Sequence, residues 1–171
     1  MENAKSKAED ILADLNYDFR NFTIEDFILW LGERKGRHII SIPRKMPAGM
    51  FGAWFTDDVE PNEYIFYRIN ASPMLQIHIQ LHELAHFLFD HPTIHIPRKS
   101  IAASIHDGAP LPFRDLVLTR STKKSKYETE AETLASMIQQ QAIRHSNLDQ
   151  LVRGISSDKN IARYLDDLGM I

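Results

Sequence analysis

The chain has no cysteine in its 171 residues. Disulfides and thiolate metal sites are therefore excluded, and any metal ion must be held by nitrogen and oxygen ligands. No apolar run approaches the roughly 20 residues needed to cross a bilayer. The opening stretch "MENAKSKAEDILADL" is charged and lacks the apolar segment of a signal peptide. A cytoplasmic location without a membrane partner is the expectation. Charge of one sign is also lacking: the net charge is −3, without the basic footprint of a nucleic-acid binder. The local basic clusters, Arg120 to Lys126 and Arg98 with Lys99, read as solvated loops. There is no internal repeat and no low-complexity tract.

What is present fits one globular unit. Hydrophobic residues make up 43% and charged residues 25%, close to the soluble average, and the length suits a single compact domain over residues 1–171 with a real core. Residues 2–15 read as a helix with Ile11, Leu12 and Leu15 facing inward. In "FTIEDFILWLGERKG" a second helix starts at an N-cap, Thr23, and can end at Gly36. Three extended segments follow at 37–43, 50–56 and 63–70, separated by turn residues such as Pro47, Gly49, Asp57, Asp58, Pro61 and Asn62. The third, "EYIFYRIN", is apolar on both faces. Residues 92–126 have no clear period and read as a long irregular insertion with a short strand near Leu116 to Leu118. Stretches that long between helices are often functional. Two short helices are expected in the tail, over 148–155 and 158–168. Trp30, Phe51, Trp54 and Phe55 read as core.

The helix "SPMLQIHIQLHELAHFLFDHP" begins with Ser72 as cap and Pro73 at its first position. Its apolar stripe contains Leu81, Leu84, Ala85, Leu88 and Phe89, yet it also carries His82, Glu83 and His86, groups that are costly to bury unpaired. On a helix, residues i and i+4 share a face, so His82 and His86 can meet at one ion. Glu83 lies roughly 100° round the helix, off the ligand face but within reach of a water there. This is the HExxH arrangement of metal-assisted hydrolysis, with the glutamate as general base. In a chain with eight histidines the motif is expected by chance only about 0.02 times.

A catalytic zinc takes three protein ligands and keeps one position open. The pattern HExxHxxGxxH is excluded, because Phe89 and Pro92 stand where glycine and histidine are required. The remaining source is "YETEAETLA", on a second strong helix. Glu128 and Glu132 are four apart and share a face. Glu128 is the expected third ligand, and Glu132 the expected acceptor for the free N–H of a ligand histidine. Glu130 points elsewhere and reads as part of a solvated helix start. His78, one turn before His82, reads as packing or hydrogen-bonding near the site. His91, His95, His106 and His145 read by default as surface residues, although each of them, Tyr127 or a tyrosine of the third strand could supply a donor to the transition state.

On "LHELAHFLF" (81–89) and "ETEAETLA" (128–135) the sequence resembles the ImmA/IrrE family of metallopeptidases, a gluzincin-like group. The strand at 63–70 and the closing "ISSDKNIARYLDDLG" resemble that family too, so the likeness runs over about residues 24–169. Two positions depart from its pattern: Glu132 stands for the usual Asn or Asp, and Leu134 for the usual Phe. The resemblance implies an α+β fold, with a small three-stranded mixed or antiparallel sheet packed against helices. The HExxH helix and the glutamate-bearing helix would form the metal site, and "EYIFYRIN" would be the edge to which a substrate adds. It also implies a zinc-dependent endopeptidase that cleaves a helix-turn-helix repressor in stress responses. Manganese is an alternative ion, since His2Glu sites accept several. Two other functions compete. One is a non-proteolytic zinc module that grips a repressor or toxin–antitoxin-type partner, for which Glu83 would have no use. The other is DNA binding by the tail, disfavoured by the acids of "DKNIARYLDDLG".

Overall fold

A computed structural model describes residues 3–146. The tail helices expected over 148–155 and 158–168 lie outside the described residues. The element order is α1 (Ala4–Leu15), α2 (Ile24–Lys35), β1 (His38–Arg44), β2 (Gly52–Asp57), β3 (Asn62–Arg68), α3 (Pro73–Leu88), β4 (Ile94–Ile96), α4 (Arg98–Asp107), α5 (Phe113–Thr119), a short 3-10 turn (Ser121–Lys123) and α6 (Lys124–His145). The class is α+β, with six helices and one mixed sheet among the described residues. No described helix is long and apolar enough to cross a membrane.

The caps follow the local chemistry. Asn3, Thr23 and Ser72 each accept a backbone N–H of the first turn of α1, α2 and α3, satisfying donors that a helix start leaves free. Gly36 ends α2 in the left-handed region at φ 64°, where a Cβ would be strained.

The sheet has four strands in the order β1-β3-β2-β4, not three. β1 runs parallel to β3, β2 antiparallel to β3, and β4 parallel to β2. Two expectations are overturned here. The strand "EYIFYRIN" is not an edge: β3 lies between β1 and β2 and is buried along nearly its whole length. Strands apolar on both faces belong inside a sheet, and the sequence carried that signal. The second correction concerns 92–126, which holds β4, α4, α5 and the 3-10 turn instead of irregular chain. The strand in this segment is at 94–96, while Leu116 to Leu118 belong to the helix α5.

The sheet is covered on both sides. Strand alternation sends Ile39, Trp54 and Ile65 into a core with α1, α2, α3 and α6. It sends Ile40, Ile42, Ala53, Phe55, Tyr64 and Phe66 into a second core, closed by Ile101 of α4 and by Phe113 and Leu116 of α5. The seven-residue α5 is therefore held by two buried apolar side chains, burial worth roughly 1.5–3 kcal/mol each. Phe51 departs from its expected core place. It is 51% exposed, with the Arg68 guanidinium over its ring at 4.7 Å.

Candidate metal site and catalytic cleft

α3 sits so close to β2 that a Cβ on Gly52 would lie 2.7 Å from Ile79 and 3.0 Å from Glu83. A glycine there is what lets the HExxH helix approach the sheet. On its other side α3 packs along α6, Ile77, Leu81, Leu84 and Ala85 joining Ala131, Leu134, Ala135 and Ile138 in one core. Both helices thus have fixed rotations, and their polar residues are presented at a shared seam.

At that seam the ligand atoms of His82, His86 and Glu128 all lie within 4.8 Å of one another. His82 Nε2 is 3.2 Å from His86 Nε2 and 2.9 Å from Glu128 Oε2. His86 Nε2 is 3.4 Å from Glu128 Oε1. Zinc–nitrogen bonds of about 2.0–2.1 Å at the tetrahedral angle put neighbouring ligand atoms about 3.3 Å apart. All three separations fall near that length, so the residues fit a tetrahedral divalent ion with its fourth position open. Of the three glutamates on α6, Glu128 is the one that joins the histidines.

Each of the two histidines has a partner on its far nitrogen. Glu132 Oε2 lies 3.1 Å from His82 Nδ1, and His78 Nε2 lies 2.9 Å from Glu132 Oε1. Glu132 and His78 thus both lie beside the three residues. His86 is supported differently. Its Nδ1 is 2.8 Å from His91 Nδ1, His91 Nε2 is 2.8 Å from Glu130 Oε2, and Glu130 Oε1 is 2.9 Å from Lys7 Nζ. A carboxylate can only accept. His91 must therefore donate from Nε2 and accept at Nδ1, and His86 must donate from Nδ1. That leaves the His86 Nε2 lone pair facing the site, the tautomer a metal ligand needs.

Glu130 and His91 are corrections. Both read as solvated in the sequence, and both are buried. The backbone explains His91. After α3, Asp90 turns left-handed at φ 54°, the Asp90 N–H donates to the Phe87 carbonyl and the His91 N–H to the His86 carbonyl. These paired bonds are a Schellman turn, and they fold His91 back beside His86. The spacing HxxxxH followed by proline was the available signal. His95, His106 and His145 are exposed, as expected.

Electrostatics follow from this packing. His86 is depressed to about 4 by burial and by the nearby positive charges of Arg120 and His82. Burial would lower His82 as well, but the hydrogen bond to Glu128 and the charges of Glu83 and Glu128 prevail and raise it to about 9. Glu128 is held below the ordinary carboxylate range, its bonds to His82 and His86 overcoming burial. Without an ion, a proton on His82 therefore stands between His82 and Glu128. Glu83 is raised, chiefly by burial, and no hydrogen bond reaches its buried Oε2.

These groups open onto a cleft of about 410 Å³ lined by residues including His78, His82, Glu83, Glu128 and Glu132. Gly49, Met50, Phe51 and Gly52 form one wall, and Leu116, Val117, Arg120 and Lys124 another. Arg120 corrects the reading of 120–126 as a solvated cluster: it is 6% exposed, and nothing in the sequence marked it. The β2 edge also reaches the cleft, because β4 covers β2 only from Phe55 onward. The Phe51 carbonyl accepts from Arg68 on the β3 side. By strand alternation the backbone groups of Gly52 then face the open side.

No protein-family profile, curated protein or solved structure matches the chain.

Proposed function

We propose that the protein is a zinc-dependent endopeptidase of the ImmA/IrrE kind, with His82, His86 and Glu128 holding the ion and Glu83 as general base. The observation that carries this reading is the placement of Glu83. A buried carboxylate with an unpartnered oxygen, beside a three-ligand site and lining the same cleft, has no structural use. A base raised toward neutrality is suited to taking a proton at physiological pH. A zinc ion held by the three ligands would supply Lewis acidity and a water of lowered pKa.

An extended peptide fits the open edge of β2 at Gly52, in place of the β3 edge expected from the sequence. Main-chain bonds would give register there, and the half-open apolar wall of Phe51, Leu75 and Val117 would receive an apolar side chain. A helix-turn-helix repressor as the natural substrate rests on the family resemblance alone.

The test combines metal analysis with one substitution. Purified protein should carry about one zinc per chain. Glu83→Gln should retain the metal and lose cleavage of a repressor encoded beside the gene by about 10² to 10⁴-fold, followed by gel and mass spectrometry. A wild type that binds zinc, produces no fragment, and relieves repression equally well as Glu83→Gln would replace this reading with that of the non-proteolytic gripping module.

A further inference from the structure

Arg120 carries a second unpartnered buried group in the same cleft. It follows α5, the helix held by Phe113 and Leu116, and it is fixed at one end by a 2.9 Å bond from Nε to the Pro92 carbonyl. Its guanidinium stands 5.9 Å from the centre of the Trp54 ring. Nη2 is buried without a hydrogen bond. A buried guanidinium N–H without an acceptor is costly, and the fold leaves it so at a residue that lines the cleft.

The charge of Arg120 acts on Glu83, Glu128 and His86, so it lies beside the chemistry. Yet no ion pair joins it to Glu83 among the described residues, and Glu83 Oε2 is likewise left without a partner. An orphaned acceptor and an orphaned donor thus flank one cavity. The histidines and Tyr127 considered from sequence do not fill this place. His91 is committed to His86 and Glu130, His95, His106 and His145 are exposed, and Tyr127 packs tilted against His91 with ring centres 4.6 Å apart without lining the cleft.

We propose that Arg120 is a catalytic residue that binds the oxyanion formed from the scissile carbonyl, an assignment that rests on the peptidase reading. The water oxygen attacks the carbonyl carbon while Glu83 takes the water's proton. The carbonyl π pair moves to its oxygen, and the Arg120 Nη2–H donates to that anion. As the electron pair returns, the C–N bond breaks, and Glu83 passes the proton to the leaving amine. Preorganised donors of this kind act where charge develops and contribute about 10² to 10³-fold each.

The experiment uses the zinc-loaded protein and N-phosphoryl-leucyl-tryptophan, whose tetrahedral anion imitates the intermediate and whose leucine suits the apolar wall. Calorimetry should show binding to the wild type, a loss of about 10² to 10³-fold in Arg120→Gln, and a smaller loss in Arg120→Lys, which keeps charge without the fork. Zinc content should stay at one per chain, and with a cleaved substrate kcat should fall while KM hardly moves. A purely positioning role would instead lower zinc content and melting temperature together, with probe affinity unchanged. Probe affinity within about threefold of wild type in Arg120→Gln, or no binding by the wild type, overturns the assignment. If Arg120→Gln does not fold, Arg120→Lys decides by the same criterion. Arg120-dependent probe binding without peptide cleavage sinks the peptidase reading and with it the oxyanion role, leaving Arg120 as an anion-binding group only. Cleavage with Arg120-independent probe binding sinks only the oxyanion role.

Discussion

The two candidate ligand histidines are four residues apart on one helix, but they are supported in opposite ways. His82 leans on Glu132, which is 54% exposed and shared with His78. His86 leans on a chain, His91 to Glu130 to Lys7, that is buried at His91 and Glu130, the Glu130 side chain being only 6% exposed. An exposed carboxylate is solvated whether or not it meets a histidine, so its contribution is small and adjustable. A buried one must be paired, so its loss is felt by the whole fold. The same chemical task, holding an imidazole by its far nitrogen, is thus coupled to stability on one side of the site and nearly independent of it on the other.

The contrast can be broken at several strengths. The largest effect is expected from the ligands themselves. His82→Ala and His86→Ala should each weaken zinc binding beyond the roughly 100-fold seen for supporting residues, measured by titration against a chelator. Retention of full affinity in either would remove the metal site. Next comes the buried support. Glu130→Ala should lower stability in urea by about 3 kcal/mol, as for breaking a buried pair, and zinc affinity by roughly 10 to 100-fold.

pH sharpens the same point. The Glu130 carboxyl is lowered, burial being outweighed by the bonds from Lys7 and His91, so its stabilisation is complete above the unfolded carboxylate pKa of about 4.3. It is lost as pH falls through the lower folded value. The stability gap between wild type and Glu130→Ala should therefore shrink below about pH 4, read from urea melts of the metal-free protein. A gap unchanged at pH 3 would mean that the pair contributes nothing as an ion.

Smaller still is Glu132→Ala. Stability should change by less than about 1 kcal/mol, while zinc affinity falls by about 10-fold, the low end for a supporting residue. Equal losses of stability in Glu132→Ala and Glu130→Ala would erase the distinction. The smallest effect is expected at the turn that delivers His91. Asp90→Gly should raise stability by up to about 1 kcal/mol by relieving the left-handed backbone, with zinc affinity unchanged.

The exposed half of this contrast was legible in the sequence and the buried half was not. His82, Glu83, His86, Glu128 and Glu132 declare themselves by helical phase, because each pair lies within one turn of one helix. The chain from His86 to Lys7 runs through a left-handed turn, then to a helix 39 residues on, then back across 123 residues to α1. No local periodicity reports such meetings. The fold divides the same way. The α+β class and the strong helices were readable, as caps and apolar stripes are local. The fourth strand was not, since three residues pairing with β2 carry no pattern of their own. Arg120 was hidden for a related reason: its burial is decided by Phe113 and Leu116 reaching the far face of the sheet, within a stretch whose period is too short to read.

The bond from Lys7 to Glu130 joins the N-terminal helix to the candidate site. It ties α1 to His86 through Lys7, Glu130 and His91, although α1 lines no part of the cleft. A protease acting between α1 and α2, or a splice that replaced the first dozen residues, would leave His82, Glu83, His86 and Glu128 on their own helices. It would also unseat Glu130, free the His91 ring to rotate, and release the tautomer of His86. Such a trimmed molecule should hold zinc more weakly, and its N-terminal helix, added back as a free peptide, should restore the grip on zinc in proportion to its concentration.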